Sequence, residues 1–163
     1  MKYREHVTKI LTESLRNDDK VLIFGEGVAD PKGIFGTTLE AAQSFPDRVI
    51  ETPLSENMLT GACLGLALEG WKPIFVHARC EFLMPAMEQL VNVAAKWRSV
   101  HFDRNFNMIA RCLVGRGWGQ GPHHSQAFHA MLAHIPGLRV LYPVNPLNLD
   151  NIYNEALHCG NPT

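Results

Sequence analysis

Three runs of apolar residues, VLIFG (21–25), PIFVHA (73–78) and MIARCLVG (108–115), constrain this chain more than any other feature. None alternates apolar with polar residues as a half-exposed strand would. A strand that is apolar on both sides must be covered on both sides, which is the signature of a parallel sheet between helical layers. The segments between the runs agree. Tyr3 to Arg16 places Val7, Ile10, Leu11 and Leu15 on one helical face, and RVIET (48–52) reads as a further strand. Helices are expected around 38–45, from Glu56, from about Glu81 to Trp97, near Ser125–Ile135 with Ser125 as N-cap, and through about His158; RVLYP (139–143) is expected to be the last strand. The expected fold is α/β, three layers (α/β/α) with a mostly parallel sheet, in one domain spanning residues 1–163.

With 163 residues, 46% hydrophobic and 19% charged, the chain has the balance of a folded globular domain. A net charge of −1, with Lys and Arg scattered, gives no footprint for nucleic acid. The N-terminus MKYREHVTKIL is charged where a signal peptide is apolar, and the run 58–68 is far shorter than the roughly 20 residues that span a bilayer. The four cysteines, Cys63, Cys80, Cys112 and Cys159, form no CxxC pair and read as reduced thiols, so a soluble, cytoplasmic protein is expected.

In open α/β sheets, ligands sit at the carboxyl ends of the strands. Four segments begin there: 26–36, 52–56, 78–82 and 115–126. GEG after the first strand lacks the remainder of a dinucleotide fingerprint, because the glycines run Gly25, Gly27, Gly33, so a nicotinamide site is rejected. Glu26 either projects into a cleft or is a solvated loop residue. His123, His124, His129 and His134 do not converge as metal ligands, since residues five apart on a helix diverge by roughly 140°. A loop histidine beside GRGWGQG is instead a candidate for acid–base work or anion contact. There is no GxSxG elbow for a hydrolase.

TPLSENMLTGACLGLALEG (52–70) is more specific. Each glycine within a helix costs about 1 kcal/mol relative to alanine, so Gly61 and Gly65 imply close packing, either within the domain or against a second chain. Glu56 in the first turn is either a surface residue favoured by the helix dipole or a group with chemistry to perform. From Glu56 the pattern is E-x4-G-Φ-x-x-G. Together with GEGV, DRVIETPLSEN, GWKPIF, EFLMPAMEQLVNVAAKW, GRGWGQGPHHSQ and HIPGLRVLYP, it resembles the β subunit of the E1 component of 2-oxo acid dehydrogenase complexes, from about residue 5 onward. That subunit carries the pyrimidine-binding domain of a thiamine diphosphate enzyme.

The resemblance implies a role for each matching residue. Glu56 would hydrogen-bond N1′ of the aminopyrimidine, favouring the imino form that takes the C2 proton, and for this it should be largely desolvated. Leu54 would present backbone to the pyrimidine. Phe82 would pack on the ring, although a phenylalanine there also reads as plain core. Glu26 would be an acidic residue of a water-filled tunnel, and His124 would lie near the reactive end of the cofactor. Cys159 stands where relatives often carry an acidic residue two positions before Asn161, so a potassium site is not carried over. RCLVGRGWGQG departs from the R-x-P-x-G style of pyruvate and branched-chain enzymes and leaves the substrate open.

The family's diphosphate and Mg2+ motif, GDG followed by Asn, belongs to a partner α subunit. The resemblance therefore implies that the cofactor is shared with that partner, that the family's C-terminal domain is absent from these residues, and that the chain alone is inactive. Self-association and a lipoyl-bearing acyltransferase are further implied partners. Two other readings stay open: a thiamine diphosphate enzyme with another acceptor, as in acetoin cleavage or transketolase-like transfer, and a non-catalytic pyrimidine-domain fragment that only assembles.

Overall fold

The computed structural model describes residues 2–102, 106–115 and 117–163. The apolar runs become strands β1 (Val21–Gly25), β3 (Lys72–His77) and β4 (Ile109–Cys112), joined by β2 (Val49–Glu51) in one sheet of order β2-β1-β3-β4. Every pairing is parallel, and Ile23, for example, lies beside both Val49 and Ile74. Alternation along each strand divides the core. Val21, Ile23, Ile74 and Val76 pack with Leu11, Leu15, Leu149 and Tyr153 on one face. Leu22, Phe24 and Phe75 pack with Leu59, Cys63, Leu90 and Phe106 on the other. The central strands β1 and β3 thus have the double burial that their composition demands, while β4 at the edge is half-buried after Ile109, and the three-layer architecture follows.

Helix α1 (Tyr3–Asn17) buries Val7, Ile10, Leu11 and Leu15, the stripe expected from spacing. The first face also receives α2 (Leu39–Ser44) and α6 (Leu149–His158). Helix α3 (Glu56–Leu68) covers the second face, beside a π-helical turn over Glu88–Ala94 that runs into α4 (Ala95–His101). The long helix expected from Glu81 is therefore divided. Cys80–Leu83 forms a 3-10 turn, and Pro85, which has no amide proton to donate, separates it from the helical run beyond.

Two further expectations are corrected. Ser125 is not an N-cap: it closes the 3-10 turn Pro122–His124, with its hydroxyl donating to the Gly121 carbonyl at 3.0 Å, and α5 spans only His129–Ala133. RVLYP is not a strand. Between it and β4 lies an apolar trough of about 770 Å3, lined by Ile109, Leu113, Leu138, Val140 and Leu141 among others. Pro162 and Thr163 bridge the gap at one end. Ala110 N–H donates to the Thr163 carbonyl at 2.8 Å, and Arg139 N–H donates to the Pro162 carbonyl at 2.9 Å. With that one backbone hydrogen bond and no ladder along its length, 139–143 forms no strand.

Candidate functional site

The carboxyl ends of β1, β2 and β3 meet at a cleft lined by Glu26, Thr52, Pro53, Leu54, Ser55, Glu56, Leu59, Phe75, Val76, His77, Ala78 and Phe82. Four residues picked out from the sequence, Glu26, Leu54, Glu56 and Phe82, thus converge from three separate segments. The parallel register makes this possible, because all strands point their C-terminal ends the same way.

Glu56 opens α3, where the helix dipole favours a carboxylate. Its backbone carbonyl accepts from the Thr60 hydroxyl at 2.6 Å, while its carboxylate has no hydrogen-bond partner among the described residues. The expected deep burial is not met in the single chain: Glu56 is half-buried and Glu26 is exposed. The cleft is open on the side that carries Leu54, which is 65% exposed.

His124 is not a wall of this cleft, but its ring lies 6.0 Å from that of Phe82, centroid to centroid. A stack of side chains fixes the glycine-rich loop that carries it. The Arg79 guanidinium sits 4.1 Å over the Trp118 ring and 5.5 Å over Phe35, and it donates from Nε to the Gln120 side-chain oxygen at 3.0 Å. Trp118 Nε1–H in turn donates to the His124 carbonyl at 2.6 Å. The fourth segment predicted at the strand ends, 115–126, is thereby tied to the loops after β1 and β3. Neither Arg79 nor Trp118 was picked out from the sequence; for Trp118 its place between two glycines was the available signal, and for Arg79 there was none.

Glu51 was also missed. Its carboxylate, at the end of β2, accepts from the Gly27 and Ala29 N–H groups, the latter at 3.1 Å. A phosphate after β1 would need these amides, and the Glu51 carboxylate takes them. Among the described residues, no three His, Cys, Asp or Glu side chains are grouped to hold a metal ion. All four cysteines are free.

The floor of the cleft is polar in an unusual way. Among the described residues, His77, 3% exposed, has no partner for its buried Nε2, and the buried Thr52 hydroxyl oxygen has none either. Burial pushes the His77 imidazole down from its ordinary 6.5 to about 4. With the folded-state pKa below the unfolded one, the unfolded chain binds the extra proton first on acidification. The stability contributed is full above about pH 6.5 and is lost as pH falls toward 4. The whole interval is worth about 3 kcal/mol. Urea unfolding midpoints measured from pH 7 to pH 4.5 should fall accordingly, and His77→Phe should remove that part of the decline.

The family described as "Transketolase, pyrimidine binding domain" matches residues 1–163. The chain is 36% identical over 162 residues to the 2-oxoisovalerate dehydrogenase subunit beta, mitochondrial, of Chaetomium thermophilum, covering 96% of this chain and 34% of that protein. It is 30% identical to the Bacillus subtilis 2-oxoisovalerate dehydrogenase subunit beta, covering 99% and 50%. With the Saccharomyces cerevisiae pyruvate dehydrogenase E1 component subunit beta it shares 34% identity over 99% of this chain and 45% of that one. The chain therefore spans about a third to a half of the length of these relatives. Among solved structures, a split gene transketolase described as an inactive beta4 tetramer superposes with a TM-score of 0.75 at 21% identity, covering 98% of this chain and 49% of that one. Transketolase from Leishmania mexicana gives a TM-score of 0.76 at 20% identity, covering 98% and 24%.

Proposed function

The chain belongs to the transketolase pyrimidine-binding domain family, and from that premise we propose that it supplies the pyrimidine half of a thiamine diphosphate site in an E1-type 2-oxo acid dehydrogenase. The observation that carries this reading is the convergence of Glu26, Leu54, Glu56 and Phe82 on one cleft at the strand ends. The residues fit the group: a free carboxylate at a helix start, an aromatic wall and two buried polar atoms without partners suit a planar heterocycle with donors and acceptors on its edge. When bound, the cofactor supplies the electron sink for cleavage beside a 2-oxo acid carbonyl. Glu56 holds a proton at N1′, Phe82 and Leu54 orient the ring, and Glu26 keeps an acidic, hydrated flank. His124, fixed through Trp118 beside Phe82, faces the substrate.

The Mg2+ and diphosphate clamp is assigned to an E1 α-type partner, and the acyl group would pass to a lipoyl-bearing acyltransferase. The four free thiols support a reducing, cytoplasmic setting. Co-expression with an α-type subunit carrying GDG…Asn, followed by a thiamine diphosphate-dependent screen of 2-oxo acids, tests the reading. Turnover with a 2-oxo acid is expected, and none from the chain alone. Assembly without any cofactor-dependent turnover would return the chain to a purely structural role.

Self-association is the second part of the proposal. Gly61 faces the Gln89 side chain within the domain, where a Cβ would lie 3.5 Å from its oxygen, so that glycine serves intradomain packing. Gly65 has open space around it and lies near exposed Met58 and Ala62, on a face bare enough to receive another chain. Gly65→Leu is expected to leave circular dichroism and the thermal midpoint near wild type while halving the mass of the assembled species in light scattering. An unchanged mass would remove α3 from the interface.

A further inference from the structure

His77 stands out because it should be costly. A buried donor or acceptor without a partner typically costs about 1–3 kcal/mol, and native proteins keep such groups rarely and for a reason. Among the described residues five buried side-chain atoms have no partner, and two of them, His77 Nε2 and Thr52 Oγ1, belong to residues of different segments that line the same cleft. His77 is the last residue of β3, and Thr52 directly follows β2. The charged groups that share the cleft are Glu26 and Glu56. Neither supplies His77 with a hydrogen bond among the described residues, and the ring instead leans on Phe75, 4.1 Å between centroids. The hollow has a volume of about 20 Å3, room for about one water.

We propose that His77 and Thr52 form the polar floor of the cleft and hydrogen-bond the edge of the heterocycle seated over Glu56, making them ligand-positioning residues. This rests on the cofactor reading above and deepens it. An aminopyrimidine carries ring-nitrogen acceptors and an exocyclic amino donor. A hydroxyl can answer either, and a neutral imidazole nitrogen answers one according to its tautomer. The histidine is suited to the task because burial keeps it neutral well below pH 7. A water held there in the free chain would be displaced by groups that reproduce its hydrogen bonds, the favourable case for displacement.

The prediction has opposite signs for stability and binding. His77→Phe and Thr52→Val keep shape and remove the orphan, so each should raise the thermal midpoint by about 3 °C. Each should also weaken binding of the pyrimidine fragment 4-amino-5-hydroxymethyl-2-methylpyrimidine about tenfold in an NMR titration of the chain. In the wild type, the 15N resonance of His77 Nε2 should move saturably with the fragment, a readout that a merely structural histidine would not give. If the fragment binds and that resonance stays still, or if both variants bind as tightly as wild type, the floor assignment is wrong while the cofactor reading stands. If wild type shows no saturable shift anywhere in the cleft, and the chain assembled with an α-type subunit binds no thiamine diphosphate, both fail together.

Discussion

Glu56→Gln, in the enzyme assembled with an α-type partner, is expected to lose between about 10²- and 10⁴-fold in kcat, the range typical of a general acid–base group. Glutamine preserves the shape of the side chain and can keep the hydrogen bond to N1′ that the proposed function gives Glu56, but it has no ionisable proton to share. Cofactor affinity should change far less, because the proposed function places the diphosphate clamp on the partner. The structure sharpens this expectation. Glu56 is only half-buried in the single chain and its carboxylate is free of partners among the described residues, so the substitution breaks no hydrogen bond among them. A plain helix-start residue would behave differently, costing a few tenths of a kcal/mol in stability and leaving the rate alone. Steady-state kinetics at saturating thiamine diphosphate, with thermal melts alongside, separates the two. A near-normal kcat would return Glu56 to the surface role.

The second large effect concerns folding. At Gly25, the last residue of β1, φ is +153° and a Cβ would sit 2.3 Å from the Val76 carbonyl oxygen of β3. The obstacle is backbone in the middle of the sheet, so no side chain can rotate away. Gly25→Ala combines overpacking with a backbone conformation that L residues rarely adopt, together about 4 kcal/mol. Against a total stability of about 5–15 kcal/mol this is severe. The thermal midpoint should fall on the order of 10 °C or more, or soluble expression should fail. A melt within a degree of wild type would mean that β1 and β3 are not so close. The same contact matters for the site, because Glu26 follows Gly25 and His77 follows Val76.

Strands covered on both faces announced themselves through unbroken apolar runs, and α1 through its stripe. What escaped was set by tertiary contacts. RVLYP has a strand's composition but lies across the trough from β4, and composition alone does not reveal the spacing. The turn at Pro122–His124 uses the Ser125 hydroxyl in a way that resembles a cap from sequence alone. In the cleft, Glu26, Leu54, Glu56 and Phe82 were legible because a long series of islands resembled one family. His77 was not, because a lone histidine at the end of an apolar run usually means a core histidine with a partner. Its lack of one is visible only in three dimensions. Arg79 and Trp118 were hidden for a related reason, since their stack joins loops 39 residues apart in sequence.

The trough beside β4 has a consequence of its own. The segment 162–163 pairs with the start of this edge, through Met108 and Ala110, and the apolar walls beyond it leave a template for any extended chain that passes near. β2 at the opposite edge is only three residues long and carries Glu51, which blunts it. On β4 the pairing with Pro162 and Thr163 covers only the first half, and Arg111 is the single charge along the strand. Recruitment at the two borders of this molecule is therefore unequal: polymeric growth on heating or concentration would start from the β4 side, and the colloidal behaviour of the chain is governed by that one border.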